Sequence, residues 1–162
     1  MIKPVFREYT DTDEPLLLRL NQAVVDLTSP LDSARLQQMR AQGCQITIAE
    51  HDGNTIGLSL CFTDGSDYDS TNYQWFNQRI KQFLYIDRII VAEESRGMGA
   101  GQHFYAQLKA QAAQHGLHWL AAEINSKPPN TASLAFHRKQ GFVETGVQSM
   151  GDKSVSMQLF SL

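Results

Sequence analysis

The sequence has only two cysteines, Cys44 and Cys61, and they lack the spacing that metal-binding cysteines share. Each stands in an apolar stretch, which favours buried thiols in a reducing compartment, and a disulfide between the two cysteines is the alternative. No segment approaches the roughly 20 apolar residues of a membrane-spanning helix, and no long apolar run follows the first residues. The sequence therefore predicts a cytoplasmic protein with no metal site, membrane segment or secretion signal.

The sequence also has little excess of one sign of charge over the other. The 14 lysines and arginines nearly balance the 17 aspartates and glutamates, for a formal net charge of −3. Nothing in this balance favours a nucleic-acid-binding surface. The length of 162 residues and the apolar content of 42% fit one globular domain, predicted to span residues 1–162.

The periodicity of apolar residues predicts the element order β-α-α-β-β-β-α-β-α-β-β, which is typical of an α+β or α/β domain around one mixed sheet. The predicted strands cover residues 5–9, 45–50, 55–62, 83–91, 118–124, 142–147 and 155–160. An Asp-Gly turn at Asp52-Gly53 predicts that the second and third of these strands form a hairpin. The predicted helices begin at a cap on Asp11 or Thr12, at Ser33, at Gly99 and after a cap on Asn130. The last strand, 155–160, could pair across a homodimer.

Residues 63–82 break this pattern, because aspartates alternate there with aromatic residues. A connection of this length is unusual in a compact domain and is often a lid or a binding loop. A solvated loop with one short helix, held by its aromatic side chains, is an equally good interpretation.

The segment Arg96-Gly97-Met98-Gly99-Ala100-Gly101 stands between a predicted buried strand and a predicted helix. Glycines allow close approach of a ligand to the backbone, and the amides at a helix N-terminus favour anions such as pyrophosphate. The Gly-Lys step of a P-loop is absent, and Phe104 replaces the third glycine of the dinucleotide fingerprint. Glu123, about twenty residues further along, stands at the position of a ribose-binding acid, so a nucleotide-binding domain is an alternative interpretation.

Three segments together resemble the GNAT superfamily of N-acetyltransferases. Arg96-x-x-Gly99-x-Gly101 resembles its cofactor loop, Ile89-Ile90-Val91 the preceding strand, and the segment from Asn130 to Phe142 its second motif. The resemblance implies an α/β/α sandwich whose mixed central sheet splays between the fourth and fifth strands, and acetyl-coenzyme A (acetyl-CoA) as co-substrate. More loosely, Tyr85-Ile86-Asp87-Arg88 resembles a bacterial branch of predicted acetyltransferases. The residues implied to bind the cofactor are Ile89, Ile90, Val91, Arg96, Gly97, Met98, Gly99, Ala100, Gly101, Gln102, Asn130 and His137.

Acetylation of an amine calls for a base, because an amine with a pKa near 10.4 is almost entirely protonated at pH 7, at a cost of roughly 4.6 kcal/mol. Asp87 and Glu123 are the candidates, since each is a carboxylate within or at the end of a predicted buried strand. An ion pair of Asp87 with Arg88 is the structural alternative, and for Glu123 structural and catalytic roles are equally supported.

His137 occupies the position where the superfamily usually has the tyrosine that protonates the leaving thiolate. A neutral imidazole still carries one N–H, so His137 is a candidate acid and a candidate cofactor contact. A partly buried helix histidine bonded to a backbone carbonyl is the alternative.

The expected function is therefore transfer of an acetyl group from acetyl-CoA to an amine of a small molecule or peptide. A non-catalytic acyl-CoA-binding sensor of the same fold is the second hypothesis, since His137 replaces the tyrosine. A nucleotide-binding domain is the third.

Overall fold

The computed structural model describes residues 2–162, in which seven strands form one mixed sheet of order β1-β2-β3-β4-β5-β7-β6. Met1, the first residue of the predicted domain, lies outside the described residues. The strands are β1 (Val5–Glu8), β2 (Gln45–His51), β3 (Asn54–Thr63), β4 (Phe83–Val91), β5 (Trp119–Lys127), β6 (Val143–Met150) and β7 (Lys153–Ser161). The helices are α1 (Glu14–Ala23), α2 (Ser33–Ala41), α3 (Thr71–Asn77), α4 (Ala100–Gln114) and α5 (Thr131–Gln140).

The chain contains two compact units. The first comprises the residues up to Phe62 together with Ile86–Leu108, and the second comprises Thr63–Tyr85 and Lys109–Leu162. β4 therefore begins in the second unit and ends in the first.

In the first unit, β2 pairs antiparallel with β1 and with β3. The predicted Asp-Gly turn joins β2 to β3, with left-handed φ angles of 51° at Asp52 and 77° at Gly53. On β1, Arg7 donates to both carboxylate oxygens of Asp13 at 2.8 Å and to Glu50 on β2 at 2.8 Å. These contacts tie the first strand to the start of the first helix.

The helix caps differ in part from the prediction. Asp11–Asp13 forms a 3-10 turn, closed by a capping box between Thr10 and Asp13, and α1 begins at Glu14. The predicted cap on Asp11 or Thr12 was therefore wrong, because the reciprocal bonds of Thr10 and Asp13 hold this stretch in the tighter turn. The second helix does begin at Ser33, where the Asp32 side chain accepts from the Arg35 N–H at 2.8 Å.

In the second unit, β4 and β5 run parallel and pair through the first three residues of each strand, Phe83–Tyr85 with Trp119–Ala121. β7 pairs antiparallel with β5 on one side and with β6 on the other. The suggestion that the last strand pairs across a homodimer was therefore wrong, because both of its hydrogen-bonding edges are already occupied.

The segment between β3 and β4 contributes to the core of the second unit. Tyr73 and Phe76 on α3 are fully buried, and Tyr68 is almost so. The Tyr73 hydroxyl donates to the Thr63 carbonyl at 2.6 Å, and Gln74 Nε2 donates to the Tyr68 carbonyl at 2.7 Å. The short helix held by its aromatic side chains is thus the alternative that the structure contains.

Cys44 and Cys61 are both free thiols, so the disulfide alternative is not realised. Burial raises the pKa of both thiols, that of Cys61 to about 12, which leaves them protonated and unreactive at neutral pH. No helix within residues 2–162 combines the length and the apolarity that crossing a bilayer requires. Over the same residues, no three His, Cys, Asp or Glu side chains are grouped as metal ligands would be.

Candidate functional site

The glycine segment forms the connection from β4 to α4 in the first unit. Gly97 and Gly99 have φ angles of 76° and 83°, a left-handed backbone conformation that is sterically strained in residues with a Cβ. A Cβ added at Gly97 would meet no heavy atom within 4 Å, so one side of the loop backbone is open. The loop leads into the N-terminus of a 15-residue helix, where backbone amides and the helix dipole favour a negative charge.

Arg96 stands at the start of this loop, exposed to solvent. Its Nε donates to the Val91 carbonyl at 3.3 Å, and its backbone N–H donates to the Glu93 carbonyl at 3.2 Å. These bonds place a permanent positive charge beside the glycines. A cation, a left-handed glycine backbone and a helix N-terminus form a donor set that fits a pyrophosphate.

The end of β4 is held by the apolar core of the first unit. Ile90 is buried, and Ile89 and Val91 pack against a buried cluster that includes Phe104. Gly57 on β3 allows the closest approach, since a Cβ there would lie 2.6 Å from the Ile90 carbonyl oxygen. The position of this carbonyl therefore depends on the absence of a side chain at residue 57.

Asp87 forms an ion pair with its neighbour Arg88, at 2.8 Å between Oδ2 and Nε, and both side chains are 7% exposed. Arg88 also donates to Asn21 Oδ1 at 2.8 Å and to the Ser29 hydroxyl at 3.0 Å. Asn21 is itself fully buried in α1, and its Nδ2 donates to the Ser29 carbonyl at 2.9 Å. This network gives Asp87 a structural partner, the alternative that the sequence left open.

Glu123 lies on β5 in the second unit and is half-buried. Its Oε2 accepts a hydrogen bond of 2.7 Å from the hydroxyl of Tyr85, which is fully buried on β4. Strand register explains the contact, because Tyr85 pairs with Ala121, and Glu123, two residues on, points to the same face. Sequence reasoning did not assign Tyr85 to the site, although this alternation is visible once the two strands are known to be parallel.

Asn130 caps α5, with Oδ1 accepting from the Ser133 N–H at 3.2 Å, so the predicted cap is confirmed. The same helix carries His137, which is 7% exposed. The His137 Nδ1 lies 2.8 Å from the Ser133 carbonyl oxygen. Because a carbonyl can only accept, Nδ1 carries the hydrogen, and Nε2 of the neutral ring is an acceptor.

The surroundings of His137 also oppose its protonation. Burial lowers its pKa below the ordinary value of 6.5, and the bond to the Ser133 carbonyl offsets only part of this effect. The ring makes edge contacts with Phe136 and Phe142, at 5.7 and 5.2 Å between centroids. At neutral pH the ring is therefore neutral, and Nε2 has no hydrogen to donate.

The sequence model of the acetyltransferase (GNAT) family matches residues 6–142, which is most of the chain. The chain belongs to the GNAT family. The resemblance on which the prediction rested is thus confirmed.

Solved structures agree with this membership. Ard1 from Thermoplasma volcanium has a TM-score of 0.75 at 15% identity, and the alignment covers 98% of this chain and 97% of that one. A ribosomal-protein-alanine N-acetyltransferase from Brucella melitensis has a TM-score of 0.71 at 25% identity, covering 98% and 99%. The yncA protein from Salmonella typhimurium, solved with its cofactor acetyl-CoA, has a TM-score of 0.69 at 18% identity, covering 98% and 94%. A comparison with curated protein sequences found no match.

These findings confirm the predicted fold class, a GNAT fold around a mixed sheet in which β4 and β5 are parallel. They also support acetyl transfer in general.

Proposed function

We propose that this GNAT-family protein transfers an acetyl group from acetyl-CoA to an amine of a small molecule or peptide. The observation that carries the proposal is the loop at the start of α4, where left-handed glycines and Arg96 form an anion site. Family membership supports acetyl-CoA as the ligand of this loop. A cytoplasmic location also stays a prediction.

Binding of acetyl-CoA would use two features of the first unit. The amides of Gly97 to Gln102 and the Arg96 guanidinium would hold the pyrophosphate, because they supply hydrogen atoms and positive charge to its oxygens. The backbone of Ile89, Ile90 and Val91 would hold the pantetheine arm. The contribution of Asn130 and His137 to cofactor binding stays a prediction.

Glu123 is the base that we propose. A protonated amine loses two protons when it becomes an amide, one before attack and one as the C–N bond forms and the thioester C–S bond breaks. Glu123 would take the first proton, since its carboxylate is half-buried and already oriented by Tyr85. The second proton balances the one that the departing thiolate of coenzyme A takes up, through solvent, to leave as a thiol. Asp87 suits the role less well, because it is committed to Arg88.

His137 is proposed to be a structural and cofactor-side residue rather than the acid. Its Nδ1 hydrogen is bonded to Ser133, and burial keeps the ring neutral. The leaving thiol needs less assistance than the amine, because a thiol pKa of about 8.5 is only about 1.5 units above neutral.

Calorimetric titration with acetyl-CoA tests the loop. The substitution Gly99→Asp brings a negative charge to the proposed pyrophosphate site and should abolish binding. Gly151→Asp is the matched control, because Gly151 also has a left-handed φ of 63° and open space around it, in the turn between β6 and β7. Retained affinity in Gly99→Asp would remove the loop from the cofactor site.

Release of free coenzyme A with a panel of amines, amino acids and peptides tests the reaction. Glu123→Gln should lower turnover by about 100-fold, the lower end of the range for a positioned base. The second candidate is the non-catalytic sensor, which the hydrogen bonding of His137 favours. A sensor would bind acetyl-CoA, but none of the amines in the panel would cause release of free coenzyme A.

A further inference from the structure

The hydroxyl of Tyr85 is placed on Glu123 by the sheet itself. Parallel pairing sets Tyr85 opposite Ala121, and the alternation of β5 then brings Glu123 to the same face. The resulting O–H···O bond of 2.7 Å has the ordinary length for a hydroxyl donor and joins side chains that are 38 residues apart in sequence. A donor on the strand next to Glu123 is thus built into the sheet.

Aromatic side chains of the second unit hold the Tyr85 ring in one orientation. Tyr73 meets it edge-on, at 5.5 Å between centroids and an interplanar angle of 73°. Phe76 and Tyr68 lie at 6.0 and 6.4 Å in tilted arrangements. All four rings are buried, so rotation of the Tyr85 side chain would require the cluster to repack.

The connection between β3 and β4 is therefore more than a filler of the core. Tyr68, Tyr73 and Phe76 all belong to it, and internal bonds from Tyr73 to Thr63 and from Gln74 to Tyr68 hold it in shape. A rigid segment that packs on Tyr85 restricts, through the hydroxyl, the rotamer of Glu123.

We infer that Tyr85 is a positioning residue that aims the Glu123 carboxylate at the acceptor amine, with residues 63–82 as its support. The inference rests on the proposed function. Tyr85 acts through this hydrogen bond, in which its hydroxyl is the donor and Oε2 the acceptor. The proton that the protonated amine loses before attack goes to the Glu123 carboxylate and then to solvent, and the proton lost on C–N bond formation is matched by the one that the departing thiolate takes up.

Tyr85→Phe tests this role, because it removes the hydroxyl and keeps the ring. Tyr9→Phe is the control: it removes the hydroxyl of a half-buried tyrosine outside residues 63–82, whose ring lies 4.8 Å below the Arg40 guanidinium. Urea unfolding of both variants establishes that the fold is retained, and calorimetry measures acetyl-CoA binding. Both variants should bind acetyl-CoA with unchanged affinity.

Acceptor basicity provides the readout that a merely structural role would not move. Steady-state rates are measured with two acceptors drawn from the amine panel, an alkylamine with a pKa of about 10 and a weakly basic aromatic amine. An alkylamine must lose a proton before attack, whereas the aromatic amine is already neutral at pH 7. Tyr85→Phe should therefore lower kcat about 10-fold for the alkylamine and less than about 3-fold for the aromatic amine.

An equal loss of kcat for both amines, or an equal effect of Tyr9→Phe, would overturn the positioning role while leaving acetyl transfer intact. A wild-type protein that acetylates neither these amines nor any other of the panel would instead overturn the proposed function, and the positioning role with it. The two failures are thus distinguishable.

Discussion

Replacing Gly57 by alanine is expected to weaken acetyl-CoA binding from a position outside the glycine loop. The added Cβ would lie 2.6 Å from the Ile90 carbonyl oxygen and 3.3 Å from the Val91 Cα. Both atoms belong to the backbone of β4, which cannot turn aside as a side chain can. β3 and β4 must therefore separate at the proposed pantetheine site.

The size of the displacement follows from these distances. Ordinary contact begins at 3.4 Å, so the Ile90 carbonyl must retreat by about 0.8 Å. Overpacking of this kind costs about 1–3 kcal/mol in stability, or about 2–4 °C in Tm for each kcal/mol in a protein of this size. We expect acetyl-CoA affinity to fall about 10-fold, a loss of about 1.4 kcal/mol in binding free energy that is comparable with the cost of overpacking.

Gly53→Ala is the matched control in the same unit. A Cβ at Gly53 meets nothing within 4 Å, but its φ of 77° makes alanine strained, so stability falls without displacement of β4. Calorimetric titration of acetyl-CoA and thermal unfolding are measured on both variants. If Gly57→Ala binds acetyl-CoA as tightly as Gly53→Ala does, the backbone around Ile90 does not bind the cofactor and the reasoning is refuted.

Three further predictions concern stability, each measured by urea unfolding. Because burial lowers the pKa of His137, the unfolded chain binds more protons than the folded chain, so wild-type stability should fall as the pH drops below about 6.5. His137→Phe should lose this part of the pH dependence, and a pH profile identical to that of the wild type would contradict the prediction. Hydrogen bonds from Arg7 lower the pKa of Asp13 to about 2, so their contribution to the free energy of unfolding should be present above about pH 4 and lost towards pH 2. Asp13→Asn should lower the free energy of unfolding by about 1 kcal/mol at pH 7 and remove its decrease between about pH 4 and pH 2. Arg88→Met should cost about 3–5 kcal/mol by leaving the Asp87 carboxylate buried without its cation, and the double change with Asp87→Asn should recover much of it; additive costs would contradict the pairing.

Local chemistry made much of the fold readable. The Asp52-Gly53 turn, the Asn130 cap and the long apolar run of β4 each depend on residues close together in sequence, and each is confirmed. β5 is longer than predicted, because pairing with β7 extends it through the polar residues Asn125 and Lys127. Such pairing partners come from a distant part of the chain, so periodicity alone does not reveal them.

Among the candidate residues too, features set by local sequence were predicted, whereas those set by distant contacts were not. The glycine loop was visible because glycine type and spacing report backbone conformation directly, and Gly97 and Gly99 are indeed left-handed. The partners of the buried polar residues were not visible, since Asp87 had a neighbouring arginine as an option but nothing in the sequence linked Arg88 to Asn21. The bond from Tyr85 to Glu123 likewise depends on parallel register.

The sequence by itself determined the family, the order of the elements other than the helix α3, and the loop proposed for the cofactor, because these depend on residue types at short, fixed spacings. Only the tertiary structure decided which carboxylate is committed to an ion pair and which is oriented by a tyrosine, and that His137 points its N–H at its own helix. Those choices depend on contacts between residues far apart in the chain or on the rotamer of one side chain. Strand register and packing set both, and neither is encoded in local pattern.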